Sequence, residues 1–165
     1  MNTTDLCDLL GERIGVLTPL LRDLGGRPRF AGEVVTVKCF EDSSRIKELI
    51  VIPGQGKVLV VDAGGSERCA VFGDMSAATA IRNGWEGVVI YGYIRDAEPL
   101  AQMDLGMRAL GVVPMGSTRR GLGLTELAID IQGVRCHPGD YLVADENGVV
   151  VIPRELTSEA LTAVT

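Results

Sequence analysis

The sequence predicts one α/β domain, a layered sandwich of strands and helices spanning residues 1–165. Three observations carry that prediction. Two nearly continuous apolar runs, Lys57–Asp62 and Gly87–Ile94, read as strands buried on both faces. Between them Asp74 to Asn83 has helical composition with Gly84 just beyond its end, which makes a strand–helix–strand crossover unit. The last third of the chain is a series of short valine-rich runs separated by turn signals. With 165 residues, 46% of them apolar, and a mean hydropathy of +0.22, the chain can bury a sizeable core and is not of disordered composition.

The elements follow in order. Thr4-Asp5 is a candidate N-cap for a helix through Leu10. Leu17 to Leu24 reads as a second short helix stopped by Gly25-Gly26. Phe30 to Cys39 alternates and is rich in valine, a strand. Asp42-Ser43-Ser44 caps a helix from Arg45 to Val51, ended near Pro53-Gly54. Residues 67–72, after the loop Ala63-Gly64-Gly65-Ser66, are compatible with a short strand or a helical turn. A helical turn over residues 97–104 precedes Gly106 to Leu110, which leads to a strand near Val112 to Met115, and Ser117 to Gly123 forms an exposed loop. Leu127–Ile131, Val134–Cys136, Tyr141–Ala144 and Val149–Ile152 are short strands, turned at Pro138-Gly139-Asp140 and Asp145-Glu146-Asn147-Gly148. The tail from Pro153 is helical and leaves room for docking on a neighbour.

Composition excludes several classes. The net charge is −6 with a pI near 4.8, and no basic stripe is present, which argues against direct nucleic-acid binding. Cys7, Cys39, Cys69 and Cys136 show no C-x-x-C spacing, and the one histidine, His137, sits in a turn, so a zinc site of common type is not expected. The cysteines read as core filler. The N-terminus lacks a basic, then long apolar leader, and no run is long enough to span a bilayer, so a cytoplasmic protein with reduced thiols is expected. Val58 to Gly65 superficially resembles the first motif of S-adenosylmethionine methyltransferases, but Ser66-Glu67-Arg68 follows where a glycine-rich turn would open a helix. Gly121-Leu122-Gly123 lacks the third glycine of a dinucleotide fingerprint and reads as a turn. Ser66 and Ser76 have no His or Lys partner nearby in sequence, and Lys38, Lys47 and Lys57 show no reason for a depressed pKa, so neither a serine nucleophile nor a Schiff-base lysine is expected.

The crossover unit carries the candidate site. Twenty residues separate Asp74 from Arg95. A helix of about ten residues travels roughly 15 Å, and the strand that follows returns roughly 23 Å. The helix start and the strand end therefore share one edge, where ligands of such units bind. Asp74, Arg95 and Asp96 then meet around a helix N-terminus preceded by Gly73. Two carboxylates and a guanidinium there can hold a divalent cation and a small anionic substrate.

At these residues the chain resembles the RraA family, which includes regulators of ribonuclease E activity and 4-hydroxy-4-methyl-2-oxoglutarate aldolases. The resemblance runs through Gly25-Gly26-Arg27, Phe30-Ala31-Gly32, Thr36 to Asp42, Val58 to Gly65, Gly84-Trp85-Glu86-Gly87, Tyr91-Gly92, Asp104-Leu105-Gly106, Pro138-Gly139-Asp140 and Ala144-Asp145. It implies a β/β/α swivelling-domain-like fold assembled as a homotrimer or as a hexamer of two trimers. The family's aldolase branch carries D-x20-R-D, present here as Asp74, Arg95 and Asp96. The resemblance then implies that Gly73, Asp74, Met75 and Ser76 cradle a 2-oxo acid, Arg95 binds its carboxylate, and Asp96 holds Mg2+ or Mn2+. The implied reaction is metal-dependent cleavage to pyruvate, with oxaloacetate decarboxylation as a side activity. Arg95 and Asp74 are the catalytic candidates, Asp74 by orienting a water on the metal as base. One departure is Pro99, where aldolase members carry an acidic residue; Glu98 stands one position early. The alternative implied by the same family is a protein inhibitor that docks on the basic scaffold region of ribonuclease E by charge complementarity.

Overall fold

A computed structural model describes residues 2–163. In chain order the elements are α1 (Thr3–Leu10), β1 (Gly15–Val16), β2 (Arg22–Asp23), β3 (Phe30–Lys38), α2 (Ser44–Ile50), β4 (Lys57–Asp62), α3 (Asp74–Arg82), β5 (Gly87–Ile94), α4 (Ala97–Gln102) and β6 (Gly106–Val112). They continue with β7 (Leu124–Thr125), β8 (Ile129–Ile131), β9 (Val134–Cys136), β10 (Tyr141–Asp145), β11 (Gly148–Ile152) and α5 (Thr157–Ala163), the last two joined through a 3-10 turn at Arg154–Leu156.

One mixed sheet runs β1-β11-β10-β3-β4-β5-β6-β2, with β7 added to β3. Its centre is parallel: β3 with β4, β4 with β5, and β5 with β6. The C-terminal strands pair antiparallel, β10 with both β11 and β3. β4 and β5 are apolar on both faces because both faces are covered. On one side Leu59, Val61, Val88 and Ile90 pack with Ile46 and Ile50 of α2, Ala77 and Ala80 of α3, and Leu100 of α4. On the other, Val34, Val58, Val60 and Val89 meet Ile129, Ile131 and Cys136 of the β8–β9 hairpin and Leu142, Ala144, Val149 and Val151 of β10 and β11. The sheet thus curls over itself, and the outer face of β10–β11 is covered by Leu6 and Leu10 of α1 and Ala160 of α5. The mixed α/β sandwich in one domain is as expected from the sequence. No helix among the described residues is long and apolar enough to cross a membrane.

Two expected elements are absent. Leu17–Leu24 is not a helix. Pro19 has no N–H to give a helical ladder, and the flanking residues find partners elsewhere: Leu17 N donates to Val149 O, β1 pairs with β11, and β2 pairs with β6. The expected strand at Val112–Met115 lies earlier, at Gly106–Val112. Arg108, a charge at mid-strand, masked it. Arg108 is 4% exposed, and its guanidinium is satisfied by Asp23 Oδ1 at 3.0 Å, Pro28 O at 2.7 Å and Asp145 O at 3.1 Å, with the Phe30 ring 5.3 Å away. The smaller shifts are local. Asn2, rather than Thr4-Asp5, caps α1 through Oδ1, and residues 67–72 form neither a strand nor a helical turn but a series of bends with an isolated bridge from Ala70 to Tyr93 and Gly116. The cysteines are unpaired, three of them buried, and burial pushes the Cys39 and Cys136 thiols up to about 12.

The Phe30 ring lies across two adjacent strands, over Gly87 and Gly106; a Cβ on Gly106 would fall 2.0 Å from Phe30 Cδ1. Gly106→Ala is expected to destabilise the fold by about 2 kcal/mol through overpacking. A urea titration should show a lower midpoint at unchanged slope, and Phe30→Leu in the same chain should recover part of the loss.

Candidate functional site

The crossover unit closes as its residue spacing implies. Arg95 N donates to Phe72 O at 3.0 Å, which stitches the end of β5 to the segment entering α3. The next residue, Asp96, takes a left-handed backbone (φ 64°, ψ 47°). A non-glycine residue there is strained, and such strain collects at sites where a side chain must be aimed. Here it turns the Asp96 carboxylate onto the N-terminus of α3, where Asp96 Oδ2 accepts from Asp74 N at 3.0 Å. The N-cap position of α3 is Gly73, which has no side chain to offer. A Cβ at Gly73 would stand 2.6 Å from Asp96 Oδ2, so glycine there is what lets Asp96 act as the cap from another element.

With Asp74 N occupied, Met75 N and Ser76 N have no acceptor among the described residues. They are open N–H donors at a helix start, where the dipole also favours negative charge. The resulting cleft is lined by Gly73, Asp74, Met75, Ser76, Arg95 and Asp96, all six sequence candidates together. Its volume of about 70 Å³ suits a small acid, not a dinucleotide-sized ligand. The Arg95 guanidinium lies over Gly116, whose Cβ would approach Nη1 to 3.0 Å, and Nη1 donates to Pro114 O at 3.4 Å.

Sequence reasoning missed part of the wall. Ser43, Lys47, Ser117 and Arg119 also line the cleft. Lys47 Nζ donates to Ser76 Oγ at 3.2 Å, so Ser76 does have a lysine partner, brought from α2. Lys47 also has the reason for a lowered pKa that its sequence neighbours did not show: first its burial, then the positive charges of Arg119 and Arg95. No local motif marks these residues, because α2 and the loop after β6 reach the cleft only through the sheet order.

Asp42 fixes that loop. It is fully buried, and its carboxylate accepts from Ser44 N at 2.9 Å, Thr118 Oγ1 at 2.9 Å and Arg120 N at 2.6 Å. Burial works against the charged form, yet the hydrogen bonds from Ser44, Arg120 and Thr118 outweigh it and hold the carboxyl well below the usual range. Ser43 N to Thr118 O and Thr118 N to Glu41 O complete the clasp. Glu41 itself is held down to about 2 by Arg68 and Ser66.

Other candidate motifs carry no site. The Ala63–Ser66 loop does not open a helix; the next begins at Asp74. Gly64 and Gly65 have positive φ, and the rings of Phe40 and Tyr91 pack against them. Gly121–Gly123 is a loop tied to Arg45 through both glycine carbonyls. His137 is exposed; its backbone N donates to Asp140 Oδ2 at 2.8 Å, and its ring Nδ1 stands 3.6 Å from the same oxygen, outside hydrogen-bond reach.

Because the Asp42 carboxyl titrates below its ordinary value, its contribution to stability is full above the ordinary carboxylate range and disappears as pH falls through the depressed value. Asp42→Asn is expected to lose about 2 kcal/mol at neutral pH, since donors remain buried with a poorer acceptor. Denaturant midpoints between pH 7 and pH 3 should show a shallower acid decline in this variant than in the parent.

Comparison with known proteins places this geometry in a family. The chain is 52% identical over 155 residues, 94% of its length and 96% of the other's, to a Pseudomonas syringae pv. tomato protein named "Putative 4-hydroxy-4-methyl-2-oxoglutarate aldolase". Among solved structures it resembles the RNA-processing inhibitor RraA of Thermus thermophilis (TM-score 0.90, 40% identity, 93% of each chain). It also resembles a Geobacillus kaustophilus protein described as an S-adenosylmethionine: 2-dimethylmenaquinone methyltransferase (TM-score 0.92, 38% identity, 96% of this chain and 98% of that one). The family model RraA-like, described as Aldolase/RraA, matches residues 3–151. With a match over most of its length and relatives this similar, the chain belongs to the RraA-like family.

Proposed function

We propose that this protein is an aldolase that cleaves 4-hydroxy-4-methyl-2-oxoglutarate to pyruvate, with oxaloacetate decarboxylation as a side activity. The observation that carries the reading is the meeting, in one small cleft, of a guanidinium with no carboxylate partner among the described residues (Arg95), two carboxylates (Asp74 and Asp96) and the open N–H groups of a helix start. The aldolase name of the similar Pseudomonas protein supports it.

A divalent ion fits this donor set in one way only. Among the described residues no three His, Cys, Asp or Glu side chains converge, so a closed protein cage is not available. Asp96 spends one oxygen on Asp74 N and keeps the other for an ion. Such a site suits a hard cation that retains most of its water, Mg2+ or Mn2+, and disfavours zinc. When bound, the ion supplies Lewis-acid stabilisation of the negative charge that carbon–carbon cleavage leaves on the 2-oxo oxygen.

The protein's own groups do the rest. Arg95 pairs with the substrate C1 carboxylate in a fork geometry, and Met75 N and Ser76 N donate to the same carboxylate. Asp74 stands beside Asp96 at the mouth and accepts the proton of the 4-hydroxyl through an intervening water. As that proton leaves, the C4–O bond becomes a carbonyl, the C3–C4 bond breaks, and its electron pair passes to the pyruvyl fragment. Protonation at C3 then completes the product. Loss of carbon dioxide from oxaloacetate leaves the same electron pair at C3, which is why the side reaction belongs to the same site. A homotrimer or hexamer is part of the proposal, and exposed Val16, Leu20, Met115, Leu122 and Leu124 supply apolar surface for it.

A second reading is supported by the Thermus structure named as an RNA-processing inhibitor: an acidic protein that binds the basic scaffold of ribonuclease E. One assay separates the two. Pyruvate release with added Mg2+ should be chelator-sensitive in the parent protein and at least about a hundredfold lower in Arg95→Ala and in Asp96→Ala. Unchanged release in both variants removes the aldolase scheme. Absence of pyruvate together with salt-sensitive, metal-independent binding to the ribonuclease favours the inhibitor.

A further inference from the structure

The Arg95 side chain is exposed just after β5 and has little to hold it. Among the described residues it takes part in no ion pair, and its one side-chain hydrogen bond, from Nη1 to Pro114 O, is long at 3.4 Å. A long side chain with so few partners samples many rotamers, and gripping a carboxylate in a fork geometry costs their loss. Two glycines narrow its space. The stem passes Gly73, where an added Cβ would stand 3.4 Å from Arg95 Cγ. The head rests on Gly116, where an added Cβ would stand 3.0 Å from Nη1, 3.1 Å from Cζ and 3.2 Å from Nη2. Such nearly equal distances, to the central carbon and to both terminal nitrogens, put Gly116 against the face of the guanidinium and not its edge. Contact on the face leaves the N–H-bearing edge for an acceptor.

The backbone under the guanidinium is itself fixed. Gly116 forms a parallel bridge with Ala70, Ala70 N donates to Met115 O at 2.7 Å, and Ser117 N donates to Ala70 O at 3.0 Å. Val71 N donates to Tyr93 O at 3.0 Å and Arg95 N to Phe72 O at 3.0 Å, so residues 70–72 tie the loop after β6 to the end of β5. Gly116 has no positive φ, so its backbone does not call for glycine. The three atoms nearest to an added Cβ all belong to Arg95. What glycine provides at this position is room for that one group.

Resting on the aldolase reading, we propose that Gly116 is a positioning residue: its bare backbone is the floor on which the Arg95 guanidinium lies flat, with its N–H fork presented to the carboxylate of a 2-oxo acid. A side chain at 116 lifts the group off this floor and tilts the fork away from the plane that two parallel hydrogen bonds need.

Gly116→Ala tests this, because alanine suits the backbone and meets only the far end of a flexible side chain. Its urea midpoint should equal the parent's. Calorimetric binding of pyruvate with saturating Mg2+ is expected to weaken by about tenfold, and KM in the cleavage assay to rise by a similar factor with a smaller change in kcat. In a chain where Arg95→Lys has already replaced the planar group by a point charge, Gly116→Ala should change pyruvate affinity by less than about twofold. That background separates loss of the floor from general damage to the loop, which would weaken binding in both chains alike. A crystal structure of Gly116→Ala without ligand should show the guanidinium displaced from its place over residue 116. An unmoved guanidinium, parental affinity for pyruvate in Gly116→Ala, or an equal loss in the Arg95→Lys background overturns the proposal. Failure of the aldolase reading shows elsewhere, as a parent protein that binds the 2-oxo acid yet releases no pyruvate from 4-hydroxy-4-methyl-2-oxoglutarate.

Discussion

The hydrogen bond from Asp74 N to Asp96 Oδ2 joins the two ends of the crossover unit, and the cleft depends on it. It caps α3 with a carboxylate from the start of α4, and it fixes the direction of the strained Asp96 backbone. It also determines which donors remain: with Asp74 N taken, the next two N–H groups of the helix have no acceptor among the described residues. Gly73 is the steric condition for this contact, since any side chain at that position would occupy the space of the Asp96 carboxylate. A helix cap, a strained residue and a pair of open N–H donors are thus one construction.

Around that contact the sheet supplies rigidity and the loops supply charge. β4 and β5 are buried on both faces, so the edge they present moves little. The loop after β6 has no such core and is held by polar bonds, among them two to the Asp42 carboxylate and others to Glu41 O, Ala70, Ser44 and Arg45. Fixing Arg119 by bonds to its neighbours leaves its guanidinium unspent, whereas Arg108 is consumed by Asp23 and two backbone carbonyls in the interior. The same residue type is consumed in the interior in one place and lines the cleft without an ion pair among the described residues in the other, and the difference lies in its partners.

Sequence patterns revealed those parts of the molecule where one physical requirement acted alone. Lys57–Asp62 and Gly87–Ile94 are strands with the expected limits because nothing but double-sided burial shaped their composition. The site residues from Gly73 to Asp96 were legible because a helix and a strand have fixed rises, so spacing converts to position. Leu17–Leu24 was misread because its fate rests on β11 and β6, far away in sequence. Gly106–Val112 was displaced because a buried arginine breaks the apolar pattern, and the carbonyls that satisfy it belong to Pro28 and Asp145.

By itself the sequence determined an α/β domain with Asp74, Arg95 and Asp96 at one sheet edge, since local spacing and composition suffice for that, while the RraA type was read from the resemblance of its motifs. Only the tertiary structure decided that Lys47 and Arg119 join them. Their arrival depends on the order β3-β4-β5-β6 and on the Asp42 clasp, and such long-range pairings leave no periodic mark in the residues they bring together.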